Sequence, residues 1–306
     1  MRPFEDPYPS RIRSTPEWLP RLDPVVYSDT ARPDGPLTRG QLDDYQRDGF
    51  LFFPGLFSDS EVEALRQEMT RLGNDRAVLE REGSITEPGS GALRTLFEIH
   101  KTSPVFAALA RDPRLAGVAQ QLLGDTVYLG QSRLNYKPGF RAREFYWHSD
   151  FETWHVEDGM PRMRALSISV TLTDNFESNG PLMVIPGSHH RFVACVGETP
   201  EDNYKTSLKQ QEIGVPDDES LTHLIEQGGI FTTTGKAGSV VVFDCNLMHG
   251  SNGNITPFPR SNAFFAFNAM SNAVVDPFGK TRPRPEFLCE RQPQPVTPEA
   301  RPGWQC

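Results

Sequence analysis

The sequence lacks the features that mark nucleic-acid-binding and membrane-spanning proteins. Its 31 lysines and arginines are outnumbered by 40 aspartates and glutamates, which gives a formal net charge of −9. A chain with this acidic balance and no basic run is not expected to bind a nucleic-acid backbone. No stretch reaches the roughly 18 to 20 apolar residues that a membrane-spanning helix needs. We therefore expect neither a nucleic acid nor a membrane as a partner.

Cysteine is scarce, and no two cysteines form a Cys-x-x-Cys pair. The four are scattered along the chain as Cys195, Cys245, Cys289 and Cys306. Reduced thiols are the expectation for such a pattern. The apolar run of a signal peptide is also missing, because Met1 to Pro9 carries acid and proline instead. These absences favour a cytoplasmic protein.

The chain contains no internal repeat and no linker that would divide it, so we expect a single domain over residues 1–306. Residues 1–36 hold eight prolines, and residues 286–306 are again rich in proline. Both ends are therefore expected to be extended. A polar segment at 191–237, rich in Glu, Gln and Thr, is interpreted as an insertion that could act as a lid.

Helix signals are concentrated before residue 125 and strand signals after it. Three helices are expected, starting at the capping residues Thr38, Ser58 and Asp112, with ends near Gly49 for the first and at Gly124 for the last. Strands are predicted at 50–53, 94–100, 126–137, 144–149, 163–173, 181–185, 239–244 and 261–269. Because helices are missing between the later strands, a parallel α/β fold is excluded. The pattern predicts a mostly β fold, an antiparallel jelly roll with helices packed outside it.

A His-x-Asp pair carries the densest chemical signal. In a strand, His148 and Asp150 point to the same face, so an imidazole and a carboxylate would converge. A third ligand from a distant strand would complete the 2-His-1-carboxylate arrangement, which leaves three positions open on Fe(II). The pair alone is a weak signal, because about one such pair is expected by chance in this composition. A second pair, His155 and Glu157, is interpreted as part of a solvated loop.

His249 is the expected third ligand. It follows the apolar strand predicted at 239–244, and Arg260 lies eleven residues later at the start of the next strand. An oxygenase that uses 2-oxoglutarate needs a cation there to hold the distal carboxylate of the cosubstrate. An isolated histidine more often lies in a surface loop, but the joint pattern favours a ligand. The remaining candidates, His189, His190 and His223, have no arginine so placed.

Polar residues alternate along one face of the strand that precedes the metal motif. They are Gln131, Arg133, Asn135 and Lys137. Such a face more often covers a solvated sheet. This strand, however, would line the same barrel, and a buried dicarboxylate needs cationic and amide donors. We therefore interpret the face as a binding surface.

Two segments resemble known families. Leu182–His189, with its Pro-Gly-Ser-His turn, resembles the phytanoyl-CoA dioxygenase superfamily, and the run from Trp147 to Ser167 is similar to the signature of the ectoine hydroxylases. The similarity extends from about residue 40 to 285. It implies a cupin-like double-stranded β-helix that uses Fe(II), 2-oxoglutarate and O₂ to convert ectoine to 5-hydroxyectoine, with release of succinate and CO₂. A role in osmotic and temperature stress is implied as well.

The resemblance also implies roles for individual residues. The iron ligands would be His148, Asp150 and His249. Cosubstrate contacts would be Phe97, Arg133, Asn135, Lys137, Ser251 and Arg260. Substrate contacts would be Gln131, Thr153, Trp154, Phe243, Phe264 and Arg282, with Trp154 also acting in catalysis. Two choices stay open, since Phe265 and Phe267 compete with Phe264, and Arg284 competes with Arg282.

Alternatives of different classes remain. One is an oxygenase of the same scaffold that acts on another small molecule. A halogenating variant is disfavoured, because a halide needs the position that Asp150 holds. Another is a non-catalytic jelly-roll protein with a structural metal, which a fourth protein ligand would favour because structural sites are usually closed. The assembly state stays open, with a homodimer as one option.

Overall fold

The computed structural model describes residues 6–28 and 34–299. Cys306 and the parts of the proline-rich ends at 1–5, 29–33 and 300–306 lie outside the described residues. The strands are β1 (Glu17–Pro20), β2 (Phe50–Phe53), β3 (Ser84–Thr86), β4 (Leu93–Phe97), β5 (Val127–Lys137), β6 (Phe145–His148), β7 (Ala165–Thr171), β8 (Leu182–Val184), β9 (Arg191–Ala194), β10 (Phe231–Thr232), β11 (Val240–Asp244), β12 (His249–Ser251), β13 (Arg260–Ala269) and β14 (Pro295–Val296).

The α-helices are α1 (Arg39–Asp48), α2 (Asp59–Asn74), α3 (Arg76–Leu79), α4 (Ile99–Thr102), α5 (Pro104–Leu109), α6 (Val118–Leu123), α7 (Asp150–Thr153), α8 (Tyr204–Ser207) and α9 (Asp218–Gly228). Two π-helices, Pro113–Gly117 and Trp154–Asp158, precede α6 and follow α7. Single 3₁₀ turns occur at Glu177–Asn179, Ser188–His190 and Met270–Asn272. Among the described helices, none is both long and apolar enough to cross a membrane.

The helices begin where the sequence places their caps. The Thr38 hydroxyl accepts a hydrogen bond from the Gln41 backbone N–H, and the Ser58 hydroxyl accepts one from Glu61. Each N3 side chain bonds back to its cap, so both capping boxes are complete. The helix that follows Asp112 starts as the π-helix and continues as α6. The three predicted helix starts are confirmed.

Two antiparallel sheets form the body of the protein. The larger has the order β2-β11-β7-β13-β5-β4-β3, with β14 also paired to β5, and the smaller has the order β10-β8-β12-β6. A third pairing, between β1 and β9, ties the N-terminal arm to the fold. Helices flank the sheets, and the sheets do not close into a barrel. The predicted mostly β jelly roll, a double-stranded β-helix with flanking helices, is confirmed.

The main hydrophobic core lies on one face of the larger sheet. Because strand side chains alternate between faces, Phe265 and Phe267 of β13 pack into this core with α1, α2, α5 and α6. Phe264, one residue before Phe265, points to the opposite face and packs with Phe243. The core therefore leaves the other face of β13 and β5 free to line a site.

Most predicted strands begin and end within two residues of the observed strands, but the strand predicted at 94–100 is shorter in the structure. It ends at Phe97, because Glu98 adopts a left-handed backbone with φ 57° and α4 begins at Ile99. The segment interpreted as an insertion also contributes more than a loop. It supplies β9, which pairs with β1, and β10, which joins the smaller sheet, as well as the helices α8 and α9.

Two interpretations of the metal region were wrong in their local structure. The strand ends at His148, and Asp150 is the first residue of α7, because the Ser149 hydroxyl caps a helix by accepting from the Glu152 N–H. The pair His155 and Glu157 does not lie in a solvated loop. Both residues belong to the second π-helix and are buried, with His155 0% exposed.

Three of the four cysteines lie in the described part. Cys195, Cys245 and Cys289 are buried free thiols, as predicted. Burial raises the pKa of each thiol, so they stay protonated near neutral pH. They are therefore packing residues.

Candidate active site

A cavity between the two sheets brings most of the predicted site residues together, and we call it the site cavity. The larger sheet contributes β4, β5 and β13 to its wall, and the smaller contributes β6, β8 and β12. The wall is completed by the turn from α7 into the second π-helix and by the segment 203–213. The antiparallel pairing of β12 with β6 sets His249 opposite His148.

The predicted iron ligands converge at one point of the wall. One ligand atom from each of His148, Asp150 and His249 lies within 4.8 Å of the others. The Nε2 atoms of His148 and His249 are 3.8 and 3.9 Å from Asp150 Oδ1. Although Asp150 begins a helix, it therefore still reaches the same point as His148. In the described part of the chain this group has three members, so no fourth protein ligand closes it.

Hydrogen bonds behind the ligands orient them. His148 Nδ1 lies 2.7 Å from the Tyr146 carbonyl, and His249 Nδ1 lies 3.0 Å from the Leu247 carbonyl. Because a carbonyl only accepts, each Nδ1 carries the proton in the neutral ring, and each Nε2 presents a lone pair. The Ser167 hydroxyl donates to Asp150 Oδ2 at 3.0 Å. Such contacts behind the ligands are typical of metal sites.

The electrostatics favour the protonation states that a metal requires. Burial, reinforced by the nearby His249, lowers the pKa of His148 to about 4. Burial alone would raise the pKa of Asp150, but His249, Arg133 and His148 outweigh it and lower that pKa. A neutral imidazole and a carboxylate therefore face one point near neutral pH. Two imidazoles with one carboxylate and open positions are the donor set of non-haem Fe(II) oxygenases, so these residues fit the ion.

A buried arginine lies in the same wall. Arg260 is 3% exposed; its Nε donates to the Gly180 carbonyl at 2.9 Å and its Nη1 to Asn262 Oδ1 at 3.2 Å. No carboxylate of residues 6–28 or 34–299 forms an ion pair with it. Burial lowers its pKa to about 10, so it is still charged at neutral pH. The arrangement suits a carboxylate brought by a ligand.

The polar face of β5 divides into two parts. Gln131, Arg133 and Asn135 line the site cavity, but Lys137 lies behind the wall. Its Nζ donates to Ser251 Oγ at 3.1 Å and to the Asn252 carbonyl at 2.5 Å. Burial, with Arg260 nearby, lowers the pKa of Lys137 to about 6. Lys137 can therefore act on a ligand through Ser251, which does line the cavity.

Aromatic residues form another part of the wall. Phe97, Trp154 and Phe264 all line the cavity, as does Thr153. The Arg133 guanidinium lies over the Phe264 ring at 4.8 Å from its centroid and donates to Gln131 Oε1. Of the three competing phenylalanines, the structure places Phe264 in the site, because Phe265 and Phe267 belong to the main core.

Two predicted substrate contacts lie outside the cavity wall. Phe243 is fully buried behind His249, with ring centroids 4.9 Å apart. The Arg282 side chain is 91% exposed in a surface cleft, 3.8 Å from Glu201. Its competitor Arg284 lines the site cavity instead and forms a two-point ion pair with Asp158 at 2.8 and 2.6 Å. The geometry thus selects Arg284 of the two arginines.

Sequence reasoning missed several residues of the wall. Glu157 was assigned to a solvated loop, and the residues of 203–213, including Asn203 and Ile213, carried no signal. The position of Glu157 in the run Trp147–Ser167 was the signal that could have found it. The segment 203–213 reaches the cavity only through contacts distant in sequence, which no local pattern shows.

Comparisons with known proteins agree on one family. Residues 45–262 match the family model of phytanoyl-CoA dioxygenase (PhyH). The chain is 58% identical to the ectoine dioxygenase of Bordetella bronchiseptica over 292 residues. This alignment covers 95% of this chain and 94% of the relative. A crystal structure of EctD from S. alaskensis with 2-oxoglutarate and 5-hydroxyectoine is similar with a TM-score of 0.88 at 54% identity, covering 96% of this chain and 98% of that one. The same enzyme with bound Fe is similar with a TM-score of 0.86 at 53% identity and the same coverage.

Proposed function

The chain belongs to the phytanoyl-CoA dioxygenase family, and from this premise we propose that it hydroxylates ectoine to 5-hydroxyectoine with Fe(II), 2-oxoglutarate and O₂. The observation that carries the substrate is the similarity to ectoine dioxygenases over nearly the whole chain. The site agrees with it, because one cavity combines a three-ligand metal group, buried cations and an aromatic wall.

His148, Asp150 and His249 would hold Fe(II) on one face and leave its other positions to ligands. Bound there, the ion supplies the coupled oxidation in which 2-oxoglutarate becomes succinate and CO₂ and the substrate gains a hydroxyl group. The hydrogen bonds from both imidazoles to backbone carbonyls keep the Nε2 atoms aimed at the ion. The protein's own part is to hold both organic molecules close and to exclude bulk water.

Arg260 is the residue that would anchor 2-oxoglutarate. Its guanidinium lines the cavity without a carboxylate partner among the described residues, so the distal carboxylate of 2-oxoglutarate would supply the missing charge. Asn135 and Ser251 can donate hydrogen bonds to the same molecule, and Lys137 positions Ser251. Phe97 and Arg133 line the remaining wall and would also contact the cosubstrate.

Ectoine carries a carboxylate and a delocalised ring cation. The faces of Trp154 and Phe264 suit that cation, and an arginine suits the carboxylate. Arg284 lies in the cavity and Arg282 outside it, so Arg284 is the better placed of the two. Gln131 and Thr153 line the wall near these rings and would add hydrogen bonds. Phe243 would act from behind His249 rather than by touching substrate.

Incubation of the purified protein with Fe(II), ascorbate, 2-oxoglutarate and ectoine tests the proposal. Succinate and 5-hydroxyectoine, measured together by mass spectrometry, should form in equal amounts. The matched control is His249→Ala, which should form neither. Succinate without 5-hydroxyectoine would indicate an oxygenase with another substrate. Binding of iron with no turnover of any kind would favour the non-catalytic jelly-roll protein, although the three-member ligand group in the described residues argues against it.

Further parts of the proposal concern the whole protein. A homodimer, a cytoplasmic location, a role in osmotic and temperature stress, and a lid formed by part of 191–237 stay predictions. The lid has some support in geometry, because 203–213 forms part of the cavity wall.

A further inference from the structure

Next to the site cavity lies a cluster of buried charges, of which the proposed function uses Arg284 alone. It consists of Arg11, Glu152, Glu157, Asp158 and Arg284, which we call the Arg11 cluster. Arg11 comes from the N-terminal arm, and its Nη atoms lie 2.6 Å from both Glu152 Oε2 and Glu157 Oε1. Side chains of these three residues are at most 4% exposed.

The carboxylates of the Arg11 cluster are paired with cations to different degrees. Glu152 and Glu157 share the Arg11 guanidinium, and Asp158 pairs with Arg284 and lies near Arg291, which donates to the Asp158 carbonyl. A buried carboxylate is costly unless its oxygens are bonded. Burial raises the pKa of Asp158, whereas for Glu157 the same effect is outweighed by Arg284 and Arg11, which lower its pKa. Glu157 is therefore a carboxylate near neutral pH.

The two oxygens of the Glu157 carboxylate differ in their hydrogen bonds. Its Oε1 accepts hydrogen bonds from Arg11 Nη1 at 2.6 Å and from Asn203 Nδ2 at 2.9 Å. Its Oε2 accepts none from the part of the chain that the structure describes, although the residue is only 3% exposed and lines the site cavity. Glu152 differs in both respects. Both of its oxygens are bound, by Ser10 and Arg11, and it does not line the cavity.

We propose that Glu157 is a specificity-determining residue, whose free carboxylate oxygen accepts a hydrogen bond from the positively charged ring of the substrate. The inference rests on the proposed function, because it needs a cationic substrate in the site cavity. Trp154 lies three residues earlier in the same π-helix, so its ring and the carboxylate share one stretch of the wall. The ring face attracts a cation without direction, and Glu157 adds direction through a charge-assisted hydrogen bond. A neutral ring of the same shape, with no N–H to donate there, would leave that oxygen buried without a hydrogen bond, and would be rejected.

Glu157→Gln is the sharp test, and Glu152→Gln is its matched control. Glutamine retains an Oε1 that can accept from Arg11 and Asn203, but it lacks the negative charge at the cavity. Both variants remove one carboxylate that pairs with Arg11, so Glu152→Gln measures what the loss of such a pair alone does to stability and activity. Only Glu157→Gln should lower kcat/KM for ectoine, by roughly 10- to 100-fold, with the KM for 2-oxoglutarate unchanged within about twofold.

A neutral analogue supplies a readout that a structural role would not change. The probe is 6-oxopiperidine-2-carboxylate, a six-membered lactam with the carboxylate but without the cation. The ratio of its inhibition constant to the KM for ectoine should be large in the wild type and fall at least about tenfold in Glu157→Gln alone. Equal losses of activity in both glutamine variants, or an unchanged ratio, would overturn the inference while leaving the proposed function intact. A wild-type protein that does not hydroxylate ectoine would overturn both.

Discussion

Replacement of Arg260 by alanine should separate the binding of 2-oxoglutarate from the binding of ectoine. Arg260 bonds only to the Gly180 carbonyl and Asn262 among the described residues, so its remaining N–H groups are available to a carboxylate. Each charge-assisted hydrogen bond contributes on the order of 1.5 to 3 kcal/mol. Loss of one such pair should raise the KM for 2-oxoglutarate by roughly a hundredfold or more. The KM for ectoine should change far less.

The same substitution should have little effect on the stability of the ligand-free protein. Burial lowers the pKa of Arg260 to about 10, which shows that the interior disfavours its charge. Removal of this charge offsets the loss of its hydrogen bonds to Gly180 and Asn262. A ligand that binds only the folded state raises the melting temperature by mass action. Addition of 2-oxoglutarate should therefore stabilise the wild type and have little effect on Arg260→Ala.

Steady-state kinetics with each substrate varied in turn, together with thermal melts with and without 2-oxoglutarate, measure both effects. Arg260→Lys is the control, because it keeps the charge and loses the planar fork. It should lie between the wild type and the alanine variant. A KM for 2-oxoglutarate within about twofold of the wild type in Arg260→Ala would refute the assignment. A large fall in the melting temperature of the ligand-free variant would refute the reasoning about burial.

Three further predictions concern the metal, the aromatic wall and pH. Asp150→Ala should remain folded but lose bound iron and hydroxylation. Iron content and the rate of hydroxylation of the purified variant test this, and a normal rate would contradict the ligand assignment. Trp154→Ala should hydroxylate weakly, with some 2-oxoglutarate consumed without product, and should also lose stability, because Trp154 is 6% exposed and packs with Phe151 and Met160. Trp154→Phe should recover part of the activity because a ring face is retained. A phenylalanine variant as inactive as the alanine variant would exclude the wall role. Burial lowers the pKa of both His100 and His189 to about 4, whereas unfolded histidine titrates near 6.5. The unfolded state therefore binds more protons between these values, so the free energy of unfolding should fall as pH drops from about 7 to 4. Urea titrations at several pH values measure this dependence, and His189→Gln should make it less steep.

Much of the fold could be predicted because its signals are local. Thr38 and Ser58 each cap a helix through a residue three positions later, so the sequence alone contains the whole interaction. The alternation along β5 also marks its two faces without reference to any other strand. The convergence of His148 and Asp150 was predicted correctly for an incomplete reason. His148 and Asp150 would converge if both lay in one strand, and they also converge with Asp150 at the start of a helix. The Ser149 cap makes the helix the observed arrangement.

The burial of Glu157 could not be predicted from its neighbours. A stretch that reads His-Val-Glu-Asp-Gly is typical of a solvated loop, and charge alone supports that interpretation. It is buried because Arg11 neutralises it from 146 residues away and Arg284 pairs with the adjacent Asp158. The same limit applies to Asn203 and to the choice between Arg282 and Arg284. In each case the deciding contact joins segments that are distant in sequence.

The charges of the site cavity are explained better by ligands than by stability. Arg260 has no carboxylate partner among the described residues, and the low pKa of Lys137 shows how strongly the interior disfavours its ammonium group. In the Arg11 cluster, Glu157 has an oxygen with no hydrogen-bond donor among the described residues, and well-packed apolar residues at such positions would usually stabilise a fold as well or better. A dianionic cosubstrate, a divalent cation and a zwitterionic substrate would supply the missing partners. Stability and ligand binding should therefore be strongly linked in this protein, with the largest thermal stabilisation when all three are bound.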